Sequence, residues 1–468
     1  MIGLHTLPSM EARGHSTRVV VVGAGSAGAV IAARLSECAD VFVTLVEAGP
    51  DHRAADVPPE ISGASFNAAK DLPDFHWPTL LATRVQGQAP RLYVRGRGVG
   101  GSSAINAMVA LPGQPADYDA WERVHGCHGW SWRDVEPWFS RTALTLHRAP
   151  AHEWGVVNRA LADAVPVAAE GAWLTRDSAG RRVSVNDAYL EPARGRPQLT
   201  VLGDSVVDRI VFGAGRDARR AIGVRLADGR ELDADLVVVS AGAIHSPAIL
   251  LRSGVDTPGI GDGLQDHPSF PFALVRREPA DLTSLPIATI ATLSSNIDGH
   301  VDDLQLLPME HAVAAMPQLA LLLAAAMRSW SRGTVRLDSN DPGADPVVDF
   351  AMLSDERDWI LLDAVIDAAE LALDHVSFRS VVDVAPYDRS PDGMRAALAD
   401  YVHAAGTCAM GTVVDTWCRL IGHEGVVVCD ASVMPVVPTA NTHLPTVMIA
   451  ERIAAHLQAH LAQRTRDT

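Results

Sequence analysis

The chain has 468 residues, 48% hydrophobic and 20% charged, a globular composition that rules out a disordered protein. That length exceeds what one compact core serves and argues for two domains. A formal net charge of −17 argues against nucleic acid or an anionic membrane as the main partner.

In chain order, residues 1–17 contain Glu11 and scattered histidines but no apolar h-region. They read as a loose extension, not a signal peptide. Arg18-Val19-Val20-Val21-Val22 then predicts a buried strand running into the turn Gly23-Ala24-Gly25-Ser26-Ala27-Gly28. In a Gly-x-Gly-x-x-Gly turn the first glycine turns the chain, the second admits a pyrophosphate, and the third lets a helix pack closely on the strand. The free N–H groups of that helix, predicted over 30–39, face the phosphates. A second strand, 41–46, ends at Glu47, 22 residues past Gly25, where a carboxylate is placed to accept both ribose hydroxyls of an adenosine.

Residues 49–100 are rich in Pro, Gly, Ala and Arg and predict a long extended excursion that must lie on something. Arg84, Arg91, Arg95 and Arg97 fall in it with no acid among them; they suit either a phosphate or a solvated face. The run Gly96-Arg97-Gly98-Val99-Gly100-Gly101-Ser102-Ser103 precedes an apolar stretch, 104–111, which reads as a helix capped by Ser102 or Ser103. This is a second anion-facing helix end. Trp121, Trp130, Trp132, Trp138 and Phe139 read as core. Residues 199–212 and 221–225 read as paired strands, with Asp228-Gly229 as a turn. Another buried strand, 236–240, ends in the small residues Ala241-Gly242-Ala243, with a helix start at Ser246-Pro247.

From about Phe270 the pattern changes. The uncharged run 312–327 is too short to span a bilayer and reads as a buried helix or a cavity wall, with a surface helix as the other option. Residues 333–337 read as a strand, and 359–373 and 394–403 as helices. Met309, Met327 and Met352 either soften a pocket or pack in a core. Strand 425–430 and helix 446–459 return to the opening pattern. Cys38, Cys127, Cys408, Cys418 and Cys429 form no close ligand pair, so no metal site or disulfide framework is expected. Their odd number fits a reducing compartment, and a cytoplasmic location is expected.

Four blocks carry a resemblance: Val22–Pro50 ending Glu-Ala-Gly-Pro, Arg95–Asn106, Ser240–Gly254, and the pair His403–Gly411 with Cys429–Glu451. The chain resembles the glucose–methanol–choline (GMC) family of FAD-dependent alcohol oxidoreductases over nearly its whole length. The resemblance implies an α/β fold. Its Rossmann-like FAD domain is assembled from 18–145, 190–268 and 404–465, and an α+β substrate domain with an antiparallel sheet and helices from 146–189 and 269–403. It implies that Gly23, Gly25 and Gly28 hold the pyrophosphate and Glu47 the ribose. Gly100, Gly101, Ser102 and Asn106 line the phosphates and flavin, and Val207 meets the adenine through its backbone. Asp430, Ala431 and the backbone near His443 complete the flavin contacts, and Ser26, Ala48, Arg95 and Ala241 belong to the same set. Tyr93 stands where some members carry a histidine bonded to FAD, so the cofactor is expected to be noncovalent, with His76 as the other histidine nearby. Asn441-Thr442-His443 replaces an Asn-x-Asn block.

Oxidising an alcohol requires a base near neutral pH and a group that holds the oxygen. Histidine suits the first and an amide the second. The resemblance assigns His403, at the end of a predicted helix, as the base and Asn441 as the oxygen-holding group, with His443 the main competitor. His267, beside Asp266, reads as structural. The expected reaction is FAD-dependent oxidation of a small-molecule alcohol, with oxygen, a quinone or a dedicated carrier as acceptor. A hydroxynitrile-type lyase or a non-catalytic flavoprotein scaffold are the alternatives.

Overall fold

A computed structural model describes residues 16–311 and 316–464; the N-terminal extension lies outside these residues up to position 15. The valine-rich runs form one parallel sheet. Its strands lie in the order Val426–Val428, Leu236–Val239, Thr17–Val22, Val41–Val46, Leu199–Leu202. All four pairings are parallel, and continuous apolar runs are what a sheet covered on both faces requires. Chain order runs outward in both directions from Thr17–Val22. The topological switch therefore lies between that strand and Leu236–Val239, and the crevice outside their carboxyl ends is where an open α/β sheet binds ligands.

Helix Gly28–Leu35 packs on the sheet with every residue but Arg34 buried. Helix His443–Arg464 lies beside it and buries Val447, Ile449, Ile453 and Leu457. Arg34 and Glu451 join the two helices through bonds of 3.0 and 2.8 Å, and Tyr189 donates to Glu451 Oε1 at 2.8 Å. An antiparallel meander, Val207–Phe212, Ala221–Leu226 and Glu231–Asp233, shares the same core. The stretch 199–212 is therefore two strands in two different sheets. The tryptophan cluster is core as expected: Trp121 and Trp130 are fully buried among the residues packed on this sheet.

A second five-stranded sheet is antiparallel, in the order Ala291–Leu293, Leu304–Met309, Leu319–Ala326, Ser269–Arg276, Val382–Val384. Helix Glu356–Leu373 covers one face, against Ala320, Leu322, Ala324 and Ala326. Within 312–327 the structure thus forms a strand, not a helix; its cavity-wall role is borne out by Leu323 on the opposite face. Residues 312–315 lie outside the described residues. A third, mixed sheet joins Leu81–Thr83 and Arg91–Leu92 of the long excursion to Asp262–Leu264, Gly333–Arg336 and Val347–Asp349. Among the described residues no helix is long and apolar enough to cross a membrane.

Three local expectations are corrected. After Ser102 and Ser103 the chain makes only a 3-10 turn, Gly101–Ala104, not a helix. The helix expected over 394–403 spans Pro391–Ala397, so His403 stands on irregular backbone beyond it. The helix after the Leu236–Val239 strand begins at Gly242, with Pro247 inside. Proline there has no N–H to give the carbonyl of Ala243, and the Thr407 hydroxyl donates to that carbonyl instead, at 2.7 Å.

Candidate active site

A cavity of about 460 Å³ opens at the switch point and runs to the antiparallel sheet. At one end the two glycine-rich loops meet. Gly101, at φ +51°, approaches so closely that a Cβ there would lie 2.6 Å from the Cα of Gly25. Gly25 itself opens on the cavity: a Cβ there would meet only the Cα of Gly101, at 3.9 Å. The predicted residues Gly23, Gly25, Ser26, Glu47, Ala48, Arg95, Gly101, Ser102, Asn106, Val207, Ala241, Asp430, Ala431 and His443 all line this cavity, as do His403 and Asn441. Gly28 and Gly100 do not. Gly28 packs under the turn, where a Cβ would sit 1.8 Å from the carbonyl oxygen of Gly23, and Gly100 faces Ala104 and Ser184.

Glu47 is buried and accepts three backbone N–H bonds: from Ala24 at 2.8 Å, Gly98 at 2.9 Å and Gly49 at 3.0 Å. Burial pushes its carboxyl up while these bonds push it down. A carboxylate offers about four lone-pair sites, so roughly one remains. Asp430 is likewise committed inside the protein, accepting from Gly242 N at 2.9 Å, Ser246 Oγ at 2.6 Å and Ser432 N at 2.7 Å. It ties the Val426–Val428 strand to the helix that starts at Gly242. Tyr93 is fully buried, donates to Asp266 Oδ2 at 2.8 Å, and does not reach the cavity; nor does His76.

The fit to FAD rests on this shape. An open glycine cradle at the end of a parallel strand, a buried acid at the end of the next, and orphaned polar atoms on the cavity wall suit a dinucleotide. Those atoms are Nε2 of His443, Nε2 of His245 and Oδ1 of Asn441, which find no hydrogen-bond partner among the described residues.

At the far end, the His403 ring is buried between two partners. Its Nε2 lies 3.2 Å from Asn441 Nδ2, and its Nδ1 lies 2.9 Å from Nδ1 of His267. Burial first, then His267 and Arg95, hold the His403 imidazole well below its ordinary value. His443 is differently placed, with Nδ1 3.0 Å from Ser26 Oγ in the glycine turn, and burial lowers it to about 4. His267 is more than a packing residue, because its ring bonds to His403 and not to Asp266, whose Oδ1 accepts the backbone N–H of His267 at 2.7 Å. The motif Gln265-Asp266-His267-Pro268 was the signal available in sequence; nothing in it pointed across 136 residues to His403. Asp266, His267 and His403 bring potential ligand atoms within 4.8 Å of one another, yet all four ring nitrogens lie within hydrogen-bond distance of protein partners.

Sequence comparison agrees with this architecture. Two models of the GMC oxidoreductase family match, one over residues 17–175 and 151–269 and the other over 329–450. A 5-(hydroxymethyl)furfural oxidase of Methylovorus sp. (strain MP688) is 31% identical, with 93% of this chain and 97% of the relative covered. An oxygen-dependent choline dehydrogenase of Paraburkholderia xenovorans (strain LB400) is 30% identical over 96% and 95%. The crystal structure of pyridoxine 4-oxidase from Mesorbium loti superposes with a TM-score of 0.85 at 26% identity, covering 94% of this chain and 99% of that one. The chain belongs to the GMC oxidoreductase family and is an FAD-dependent enzyme that oxidises an alcohol by hydride transfer.

Proposed function

We propose that the enzyme oxidises uncharged, largely apolar alcohols, with His403 as the base, Asn441 holding the alcohol oxygen, FAD bound noncovalently and oxygen as the acceptor. The observation that carries the reading is the His403–Asn441 pair at the end of the cavity walled by Phe66, Ile287, Leu307, Met309 and Leu323. An alcohol hydroxyl bridging the pair from the cavity side gives its proton to Nε2 of His403 and accepts from Nδ2 of Asn441. Bound FAD supplies a two-electron acceptor for the carbinol hydride.

Among the described residues four carboxylates line the cavity. Glu47 and Asp430 are held as described, Asp345 accepts from Thr79 Oγ1 at 2.6 Å, and Asp400 pairs with Arg84 at 2.5 Å. Of these only Asp400 is paired with an arginine, so the case against a cationic alcohol rests on the apolar wall beside the His403–Asn441 pair. The acceptor assignment draws on the relatives named as oxidases or oxygen-dependent.

Anaerobic rapid mixing with benzyl alcohol, hexanol, choline and glucose tests the reading, with flavin absorbance as the signal. Benzyl alcohol or hexanol is expected to bleach the flavin fastest; faster bleaching by choline or glucose refutes the apolar site. His403→Ala should retain FAD and slow bleaching roughly 10²–10⁴-fold, the span of a positioned acid–base group. A wild-type rate in that variant removes His403 as the base. Admitting air should reoxidise the flavin with release of hydrogen peroxide, and no reoxidation refutes oxygen as the acceptor.

A further inference from the structure

We propose that His267 is a positioning residue for the oxidation: its ring fixes His403 in the tautomer whose bare nitrogen is Nε2, the one beside Asn441. The proposal rests on His403 being the base and adds what makes it competent.

The proton positions follow from the partners. His267 Nε2 lies 3.1 Å from the carbonyl oxygen of Pro438. A carbonyl only accepts, so that nitrogen carries the hydrogen. The His267 ring is fully buried, and burial lowers it to about 3. A neutral imidazole has a single N–H, so Nδ1 of His267 is bare. Facing it at 2.9 Å is Nδ1 of His403. Two bare nitrogens make no bond, so His403 donates through Nδ1. His403 is itself buried and neutral, which leaves its Nε2 bare. At the other end of the chain the group 3.2 Å from Nε2 is Nδ2 of Asn441, a donor, which matches a bare nitrogen.

The other tautomer of His403 would point a hydrogen at that amide and leave His267 unpaired. It could not receive a proton from the alcohol. In the tautomer fixed by His267, the alcohol O–H bond breaks, its electron pair stays on oxygen, and the lone pair of Nε2 takes the proton. The bond from Nδ1–H to His267 strengthens as the ring becomes charged. Asp266 stands close by with an oxygen within 4.8 Å of the ring nitrogens. Its Oδ2 accepts from Tyr93, and its Oδ1 from the backbone of His267 and, at 3.3 Å, of Tyr401.

Nitrogen NMR of the holoenzyme labelled with [15N]histidine tests this directly, with the His403 ring signals identified by their loss in His403→Gln. The expected result is a protonated Nδ1 and a bare Nε2 on His403; a protonated Nε2 overturns the proposal. Kinetics gives a second test. His267→Leu should keep FAD and alcohol affinity while slowing anaerobic flavin reduction on the order of 10- to 100-fold, the effect of losing one buried hydrogen bond. His267→Gln should recover much of that rate, because its carboxamide can accept from His403 and donate to Pro438. Equal slowing in the Leu and Gln variants, or a wild-type rate in His267→Leu, overturns the proposal. If His267→Leu does not fold, the wild-type spectrum still decides. Failure of the base assignment reads differently: His403→Ala would then reduce at the wild-type rate, whatever the tautomer.

Discussion

The same substitution at two glycines of one turn should leave opposite signatures. A Cβ at Gly25 meets only the Cα of Gly101, at 3.9 Å, and otherwise projects into the cavity. Gly25→Ala therefore disturbs no protein contact, and the apoprotein should keep its stability within about 0.5 kcal/mol. It does obstruct the approach of a pyrophosphate to the backbone. Losing one hydrogen bond to a charged group costs about 1.5–3 kcal/mol, which weakens FAD binding roughly 10- to 150-fold. At Gly28 the added Cβ would sit 1.8 Å from the carbonyl oxygen of Gly23 and 3.1 Å from Cβ of Ser240. An ordinary contact requires helix Gly28–Leu35 to lift off the strand, an overpacking worth about 3 kcal/mol or more. Gly28→Ala should therefore melt the deflavinated protein several degrees lower. Thermal melting of the apoproteins and FAD titration by fluorescence quenching separate the two effects. If Gly25→Ala binds FAD as wild type does, the glycine cradle is not the pyrophosphate site; if it melts as low as Gly28→Ala, its Cβ does not project freely into the cavity.

Three further outcomes are expected. As the proposed base His403 acts when unprotonated, and burial, His267 and Arg95 hold it well below its ordinary value. Anaerobic flavin reduction should therefore stay level from alkaline pH down through 6.5 and fall only in more acid solution; a limb centred at or above 6.5 contradicts this. Glu310→Ala removes the carboxylate that pairs with the fully buried Arg276 at 2.7 Å and accepts from Val157 N and Asn158 N at 2.6 and 3.0 Å. Stranding that guanidinium should cost about 3–5 kcal/mol, read as a lower denaturation midpoint, and an unchanged midpoint contradicts the buried pair. Acid precipitation should release the flavin into the supernatant, because Tyr93 and His76 lie off the cavity wall; yellow pellets would mean a covalent bond elsewhere.

The parallel sheet and its cradle were legible in the sequence because their signals are local. Val19–Val22 and Val237–Val239 are continuous apolar runs, and the glycines that follow Val22 lie within six residues of one another. Tertiary structure decided what depends on distant partners. The run 319–326 has eight apolar residues and no polar face, so its periodicity cannot distinguish helix from strand. Pairing with Ser269–Arg276 and Leu304–Met309 makes it a strand and turns Leu323 to the cavity. Glu47 was placed correctly at a strand end, but the N–H groups that occupy it come in part from Gly98, 51 residues away. The same holds at the catalytic end. Among 18 histidines the family resemblance of their sequence blocks, not residue type, singled out His403 and Asn441, whereas the tautomer that would make His403 a base depends on His267, 136 residues earlier, and on the carbonyl of Pro438. A proton's place on an imidazole is set by whatever faces the other nitrogen, and folding alone brings that group there.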